Sequence, residues 1–351
     1  MNSLNLFQRD NRVLDINPPP DYINLHITTH GSDWLWAVFA VFCFHTVILG
    51  GLFLFTSSKK APLKKAVLLI PLFLNIVFVF GYYTYASNLG YTGIATEFFH
   101  VTTTDSDTNV RQIFYSKYIA WFLGWPLVMA LYEINLTTIY DKENLASNNS
   151  THEEANIALD NSQVVSSGDL FQKVVVFIQG FFSKCLMANI WVLGLLFGSL
   201  IESTYKWGYF VFAACFQLVA ITLVCKSIAN SMAAHSSNKL KTVGHLFIIF
   251  QIIPWILQTI NWGLSEGGNV IQPDSEAVWA GIMDLIIFGW CPAIVTLINI
   301  KSLDEDFFNK LGYSNFNLGL GRHKLEKLPE TARHSGDTAV PHVGSNEPTD
   351  E

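Results

Sequence analysis

One carboxylate, Asp284, stands in the apolar stretch MDLIIFGWCPAIV, residues 283–295, which is otherwise fit for the core of a bilayer. A charge at that depth costs about 3 kcal/mol or more, so it is expected to have a partner or a task. Another apolar run, YSKYIAWFLGWPLVMALYEINL, carries Lys117 one turn inside its start. An amine and a carboxylate meeting inside a helix bundle could neutralise each other, although desolvation of such a pair can exceed its Coulomb gain. They could also serve as polar stations for a proton or an ion. Trp121 and Trp125 follow Lys117, Pro126 should kink that helix, and Pro254 should kink the one that reads FIIFQIIPWILQTINWG. Trp121, Trp125, Trp255 and Trp262 could line a pocket for a lipid or sterol, but packing and interfacial anchoring account for most membrane tryptophans.

The elements that position these groups are transmembrane helices. Half of the 351 residues are apolar and only 14% are charged, a balance that suits a polytopic membrane protein. About 20 apolar residues span a bilayer, and such runs occur near 33–55, 66–86, 115–137, 179–201, 207–226, 243–262 and 276–300. The fourth is interrupted by Lys184 and Asn189. Basic residues mark cytoplasmic loops, and Lys59, Lys60, Lys64 and Lys65 crowd the first loop while Lys226, Lys239 and Lys241 flank the fifth. This predicts an extracellular N-terminal segment, 1–32, a membrane domain, 33–300, and a polar, acidic, disordered cytoplasmic tail, 301–351.

Within the tail, DEDFFNKLGY could form a short surface helix. The third loop, about 138–178, is rich in Asn, Ser and acidic residues and reads as a flexible cytoplasmic insert. Its sequons at Asn135, Asn148 and Asn149 are therefore not expected to carry glycans. No apolar run precedes position 33, so no cleavable signal is expected. Cys43, Cys185, Cys215, Cys225 and Cys291 all fall in the spans and read as packing residues, not disulfide or metal ligands.

KYIAWFLGWPL resembles the third helix of the microbial rhodopsins, and SEGG followed by Glu276 and Asp284 is similar to that family's last outer loop and seventh helix. The resemblance runs from the first span to the end of the seventh. It implies a seven-helix bundle in which Lys117 is the buried basic residue and Asp284 the second counter-ion. The departures carry the chemistry. Phe288 stands where the resemblance puts the retinal-binding lysine, and no lysine occurs between Thr242 and Ile300. Lys301 is thirteen residues past Phe288, about 20 Å along a helix. A covalent retinal is excluded and no other cofactor is indicated. Ala120 and Leu131 occupy the proton-acceptor and donor positions, so a carboxylate relay in the third helix is missing too.

An opsin scaffold without the lysine resembles the fungal opsin-related proteins, a group that includes a heat-shock membrane protein of yeast and its paralogues. That resemblance implies a stress-associated plasma-membrane protein, with some members proposed to restrain the plasma-membrane proton ATPase. The correspondence of Lys117 to the rhodopsin family's buried basic residue and of Asp284 to its second counter-ion implies that the two approach each other in the outer half of the bundle. Glu133 and Glu202 lie near helix ends, His45 reads as a core residue, and His235 and His245 flank a cytoplasmic connection. No nucleophile with its base, zinc spacing or phosphate loop appears, so enzyme activity is not expected, nor is binding of nucleic acid. EINLTTIYDKEN after the third span lacks the Asp-Arg-Tyr-type signature of G-protein-coupled receptors. The expected partners are the bilayer, the proton ATPase or other membrane proteins, and a second copy of the chain. A light-independent transporter or a sensor of a non-covalent apolar ligand are the alternatives.

Overall fold

The computed structural model describes residues 11–56, 62–101, 109–150, 167–233 and 238–302. Hydrocarbon supplies no partner for backbone N–H and C=O groups, so each apolar run must satisfy them internally, as a helix. A short turn of helix, α1 (Val13–Ile16), precedes α2 (Thr29–Phe55), α3 (Pro62–Ala86), α4 (Tyr115–Ser150), α5 (Ser167–Ser199), α6 (Lys206–Ala233) and α7 (Asn238–Trp262). The seventh long element is continuous but changes pitch: α8 (Pro273–Asp284), a π-helical stretch over Leu285–Trp290, then α9 (Cys291–Ser302). Consecutive helices pack side by side and α8 closes the ring against α2, giving a seven-helix bundle. Among the described residues, five helices are long and apolar enough to cross a membrane, namely Thr29–Phe55, Lys65–Ala86, Ile178–Ser199, Lys206–Lys226 and Pro273–Leu297. α4 and α7 complete the ring.

Two lengths differ from the sequence reading. α4 runs to Ser150 and α5 starts at Ser167, so the connection expected to be irregular over 138–178 is helical at both ends. Residues 134–150 contain neither Gly nor Pro, and nothing there stops a helix once the apolar part has nucleated it. With 36 residues, α4 is about 54 Å long against a hydrocarbon core of about 30 Å. The expected helix DEDFFNKLGY and the rest of the tail lie outside the described residues, as does His235.

One end of the bundle is closed by irregular chain and a small sheet. β1 (Thr92–Ala95) pairs antiparallel with β2 (Val110–Ile113), Ile94 opposite Arg111, and Leu25 adds a bridge on the other side of Arg111. This hairpin end also holds the N-termini of α2 and α8, clamped together. Asp274 accepts from the backbone N–H of Thr28 at 2.8 Å and from its hydroxyl at 2.5 Å, while Thr28 caps α2 by accepting from His30 N–H at 3.2 Å. Gly31 makes the approach possible, because a Cβ there would stand 2.3 Å from Asp274 Oδ1. Gly31→Ala must push this pinned carboxylate aside, so it should cost about 1–3 kcal/mol, read as a lower melting temperature of the protein in lipid nanodiscs.

Candidate functional site

Lys117, on the first turn of α4, is buried at the hairpin end between two carboxylates. Its Nζ lies 2.6 Å from Glu266 Oε1 and donates to Glu276 Oε1. Glu276 comes from the first turn of α8, where a negative charge is favoured by the helix dipole. Glu266 comes from the π-helical turn Gly263–Gly267 that follows α7. Arg111, delivered inward by β2, donates through Nη2 to Glu276 Oε2 at 2.8 Å and through Nη1 to Asn269 Oδ1 at 2.9 Å and the Ile271 carbonyl at 2.8 Å. Asn269 has φ 50°, a left-handed conformation that Asn tolerates. The Tyr118 and Ser199 hydroxyls donate to the second oxygen of Glu266, and Trp262 Nε1 donates to Ser199 Oγ at 2.8 Å. Two cations thus meet two carboxylates, with hydrogen bonds to both acids beyond the charges themselves.

The expected Lys117–Asp284 pair does not form. Helical side chains lean toward the N-terminus of their own helix, which carries Lys117 toward the hairpin end. Asp284 lies eight residues beyond Glu276, about 12 Å deeper. Trp121, one turn below Lys117, fills the interval. Its ring centroid is 5.9 Å from Lys117 Nζ, and its indole N–H faces the carboxylate.

Asp284 is instead held by neutral donors from three helices. Tyr82 on α3 donates to Oδ2 at 2.7 Å, Gln258 on α7 donates to Oδ1 at 2.7 Å, and Trp121 on α4 reaches both oxygens at 3.0 Å. The carboxyl group is 2% exposed. Hydrogen bonds to uncharged groups therefore do what the sequence reading assigned to a cation.

Below Asp284 the bundle is filled with rings. Phe288 stacks on Phe78 with centroids 4.2 Å apart and meets Trp125 edge-on at 5.2 Å. Trp125 and Trp255 are 4.0 Å apart, and Trp191 stacks on Trp121 at 5.7 Å and meets Trp255 edge-on at 5.8 Å. Trp262, expected to line the same pocket, packs at the hairpin end against Phe210 and Trp207. Ala120 lies against Gly81, where a Cβ would be 2.8 Å away, and Leu131 is fully buried. Pro126 and Pro254 sit inside continuous helices. The bond that Pro254 cannot make to the Phe250 carbonyl is replaced by a weak one from Cys291 Sγ at 3.6 Å. These residues do not fit a covalently held retinal, since position 288 offers no amine and its ring is packed face to face on another.

A second buried ion pair lies toward the opposite end, where Lys184 on α5 donates to Glu133 on α4. It explains how the interrupted fourth span tolerates a lysine. Glu202 is exposed beyond α5, and His45 is buried with its ring edge-on to Trp290 at 5.0 Å. The side chain of His245 lies outside the described residues. Sequence reading singled out Lys117, Trp121 and Asp284 but missed their partners Arg111, Tyr82, Gln258 and Glu266. The signal for Glu266 was present in SEGG, a loop acid beside a glycine pair; Tyr82 and Gln258 carry none beyond being polar in an apolar span.

Fold and site together define an opsin-type seven-helix membrane protein. No protein-family profile matches the chain. It is 35% identical to the "30 kDa heat shock protein" of Saccharomyces cerevisiae over 96% of this chain and 95% of that one. It is 32% identical to "Opsin-like protein carO" of Fusarium fujikuroi, over 86% of this chain and 89% of that one. Among solved structures, a light-driven proton pump from Leptosphaeria maculans superposes with a TM-score of 0.57 at 19% identity, covering 79% of this chain and 98% of that one. The chain belongs to the fungal opsin-like membrane proteins that include the 30 kDa heat shock protein.

Removing Lys117 alone would leave Glu266 without its cation and Glu276 with Arg111 only, so Lys117→Met should cost about 3–5 kcal/mol. Glu276→Gln should cost less, because Lys117 keeps Glu266; thermal melts of the two variants in nanodiscs rank them. Phe288→Lys supplies the missing amine but leaves the rings of Phe78, Trp125 and Trp255 in place. Adding retinal to that variant should give no visible absorption band, and removing Trp125 or Phe78 bulk as well should be needed before one appears.

Proposed function

We propose that this chain is a non-photoactive, non-enzymatic opsin-like protein of the plasma membrane that serves the stress response through partner proteins, the plasma-membrane proton ATPase being the favoured one. The observation that carries the reading is the ring-filled centre. Phe288 packed on Phe78, with Trp125 against Trp255, stands where a pigment would hold its chromophore. With that interior given over to packing, the surfaces are what remains to act. The name of the similar yeast heat shock protein supports the stress assignment. The basic residues Lys59, Lys60, Lys64 and Lys65 between α2 and α3, with Lys226, Lys239 and Lys241 around the α6–α7 connection, support a cytoplasmic location for the end opposite the hairpin. In that orientation the N-terminus is outside, and the third connection, the fifth and the C-terminal tail are the contact surfaces.

A light-independent proton or ion transporter is the second reading, favoured by the polar column from Glu276 and Lys117 through Trp121 to Asp284. One experiment separates the two. ATP-driven proton extrusion in the dark is compared between cells lacking the protein and cells overproducing it, at matched amounts of the ATPase. Regulation through cytoplasmic contacts predicts a difference that survives Asp284→Asn and disappears on deletion after Leu311. Loss of the difference in Asp284→Asn alone would favour a conducting path, and no difference in any strain would remove the ATPase as partner.

A further inference from the structure

Asp284 raises a question of charge that does not depend on any partner protein. At the hairpin end Arg111 and Lys117 are matched by Glu266 and Glu276, so the cluster is neutral as it stands. That leaves the Asp284 carboxyl group, deeper in the bundle, without a cation in contact. Its three donors, Tyr82, Trp121 and Gln258, are all uncharged. The groups that face it are few. α3 presents Tyr82 and Tyr85, α4 presents Lys117 and Tyr118 one turn or more above, and α8 itself carries Glu276 two turns above, with Glu266 beside it. α2 meets α8 and Tyr82 with Trp34, Val38 and Phe42, none of them ionisable.

We propose that Asp284 is a proton-binding site, whose carboxyl group carries a proton donated to Gln258. The hydrogen-bond inventory supplies the acceptor. Gln258 is 1% exposed, and while its Nε2 faces Asp284, its Oε1 is buried and has no partner. A half-turn of the amide exchanges the two atoms, which differ little in shape. Oε1 then stands 2.7 Å from Asp284 Oδ1, where it accepts the carboxyl proton. Oδ2 keeps its bonds from Tyr82 at 2.7 Å and Trp121 at 3.0 Å. An ionised carboxylate uses the amide one way round, with Nε2 also 3.4 Å from the Ala280 carbonyl, and a carboxylic acid uses it the other, giving up that long contact for the short bond from the acid. On uptake a hydronium ion gives up one O–H bond and leaves as water while the carboxyl O–H bond forms, and the charge of the proton is cancelled by that of the carboxylate.

Infrared spectroscopy of the full-length protein in lipid nanodiscs at neutral pH tests this. The carbonyl band of a protonated carboxylic acid is expected, shifting on exchange into heavy water and absent from Asp284→Asn. In Gln258→Leu the same band should move to higher frequency, because the acid has lost its acceptor; this variant carries the test if Asp284→Asn does not fold. No such band in the unaltered protein, or a band that neither variant changes, overturns the site.

Discussion

A lysine amine held between two glutamates, in a place that water does not reach, constrains the hairpin end of this bundle more than any other contact. Lys117 belongs to α4, Glu266 to the turn after α7 and Glu276 to α8, so one ammonium group ties three segments distant in sequence. Arg111 adds the β-hairpin through Glu276 and the chain after α7 through Asn269 and Ile271, and Ser199 adds α5 through Glu266. Buried ion pairs contribute net stability only when the remaining lone pairs and protons are also met. Here the carboxylates accept from hydroxyls and a guanidinium as well as from the amine. The same cluster allows irregular backbone at this depth, since non-helical chain near a membrane is tolerated only where protein satisfies it.

Replacing an amine by a benzyl group at position 288 has consequences in both directions along the bundle. Below it, the ring joins Phe78, Trp125 and Trp255, and each such aromatic pair is worth about 0.5–1.5 kcal/mol beyond burial. Above it, the Asp284 carboxyl group has no amine to neutralise and turns to a phenol, an indole and an amide. Charged chemistry in the middle of the scaffold has been exchanged for packing, while the ionic cluster at the hairpin end is complete without it.

Most of the fold was legible in the sequence. Seven apolar runs of bilayer length can satisfy their backbone only as helices, and the order of Lys117, Trp121 and Pro126, with Glu276 and Asp284, identified the scaffold. What was not legible depends on depth and direction. Lys117 and Asp284 look complementary on paper, but the lean of a helical side chain sends the amine away from Asp284 and toward Glu276. Arg111 falls between two apolar runs, where strands of four residues give too little alternation to show that its side chain points inward. Lys184 looked like an interruption because its partner Glu133 is 51 residues earlier. The polar segment after α4 looked irregular because apolar spacing, the signal for a membrane helix, ends before the helix does.

The pairing of Glu133 with Lys184 toward one end and of four charges at the other also bears on how the protein responds to voltage. A charge carried through the whole membrane field gains about 2.3 kcal/mol per 100 mV. A group of charges that cancel and are bonded to one another gains almost nothing when it shifts as a unit. Both clusters are of that kind, and a neutral Asp284 would leave the centre uncharged as well. The described part of the bundle therefore offers an electric field little to pull on. It should hold one conformation while the membrane potential rises and collapses around it.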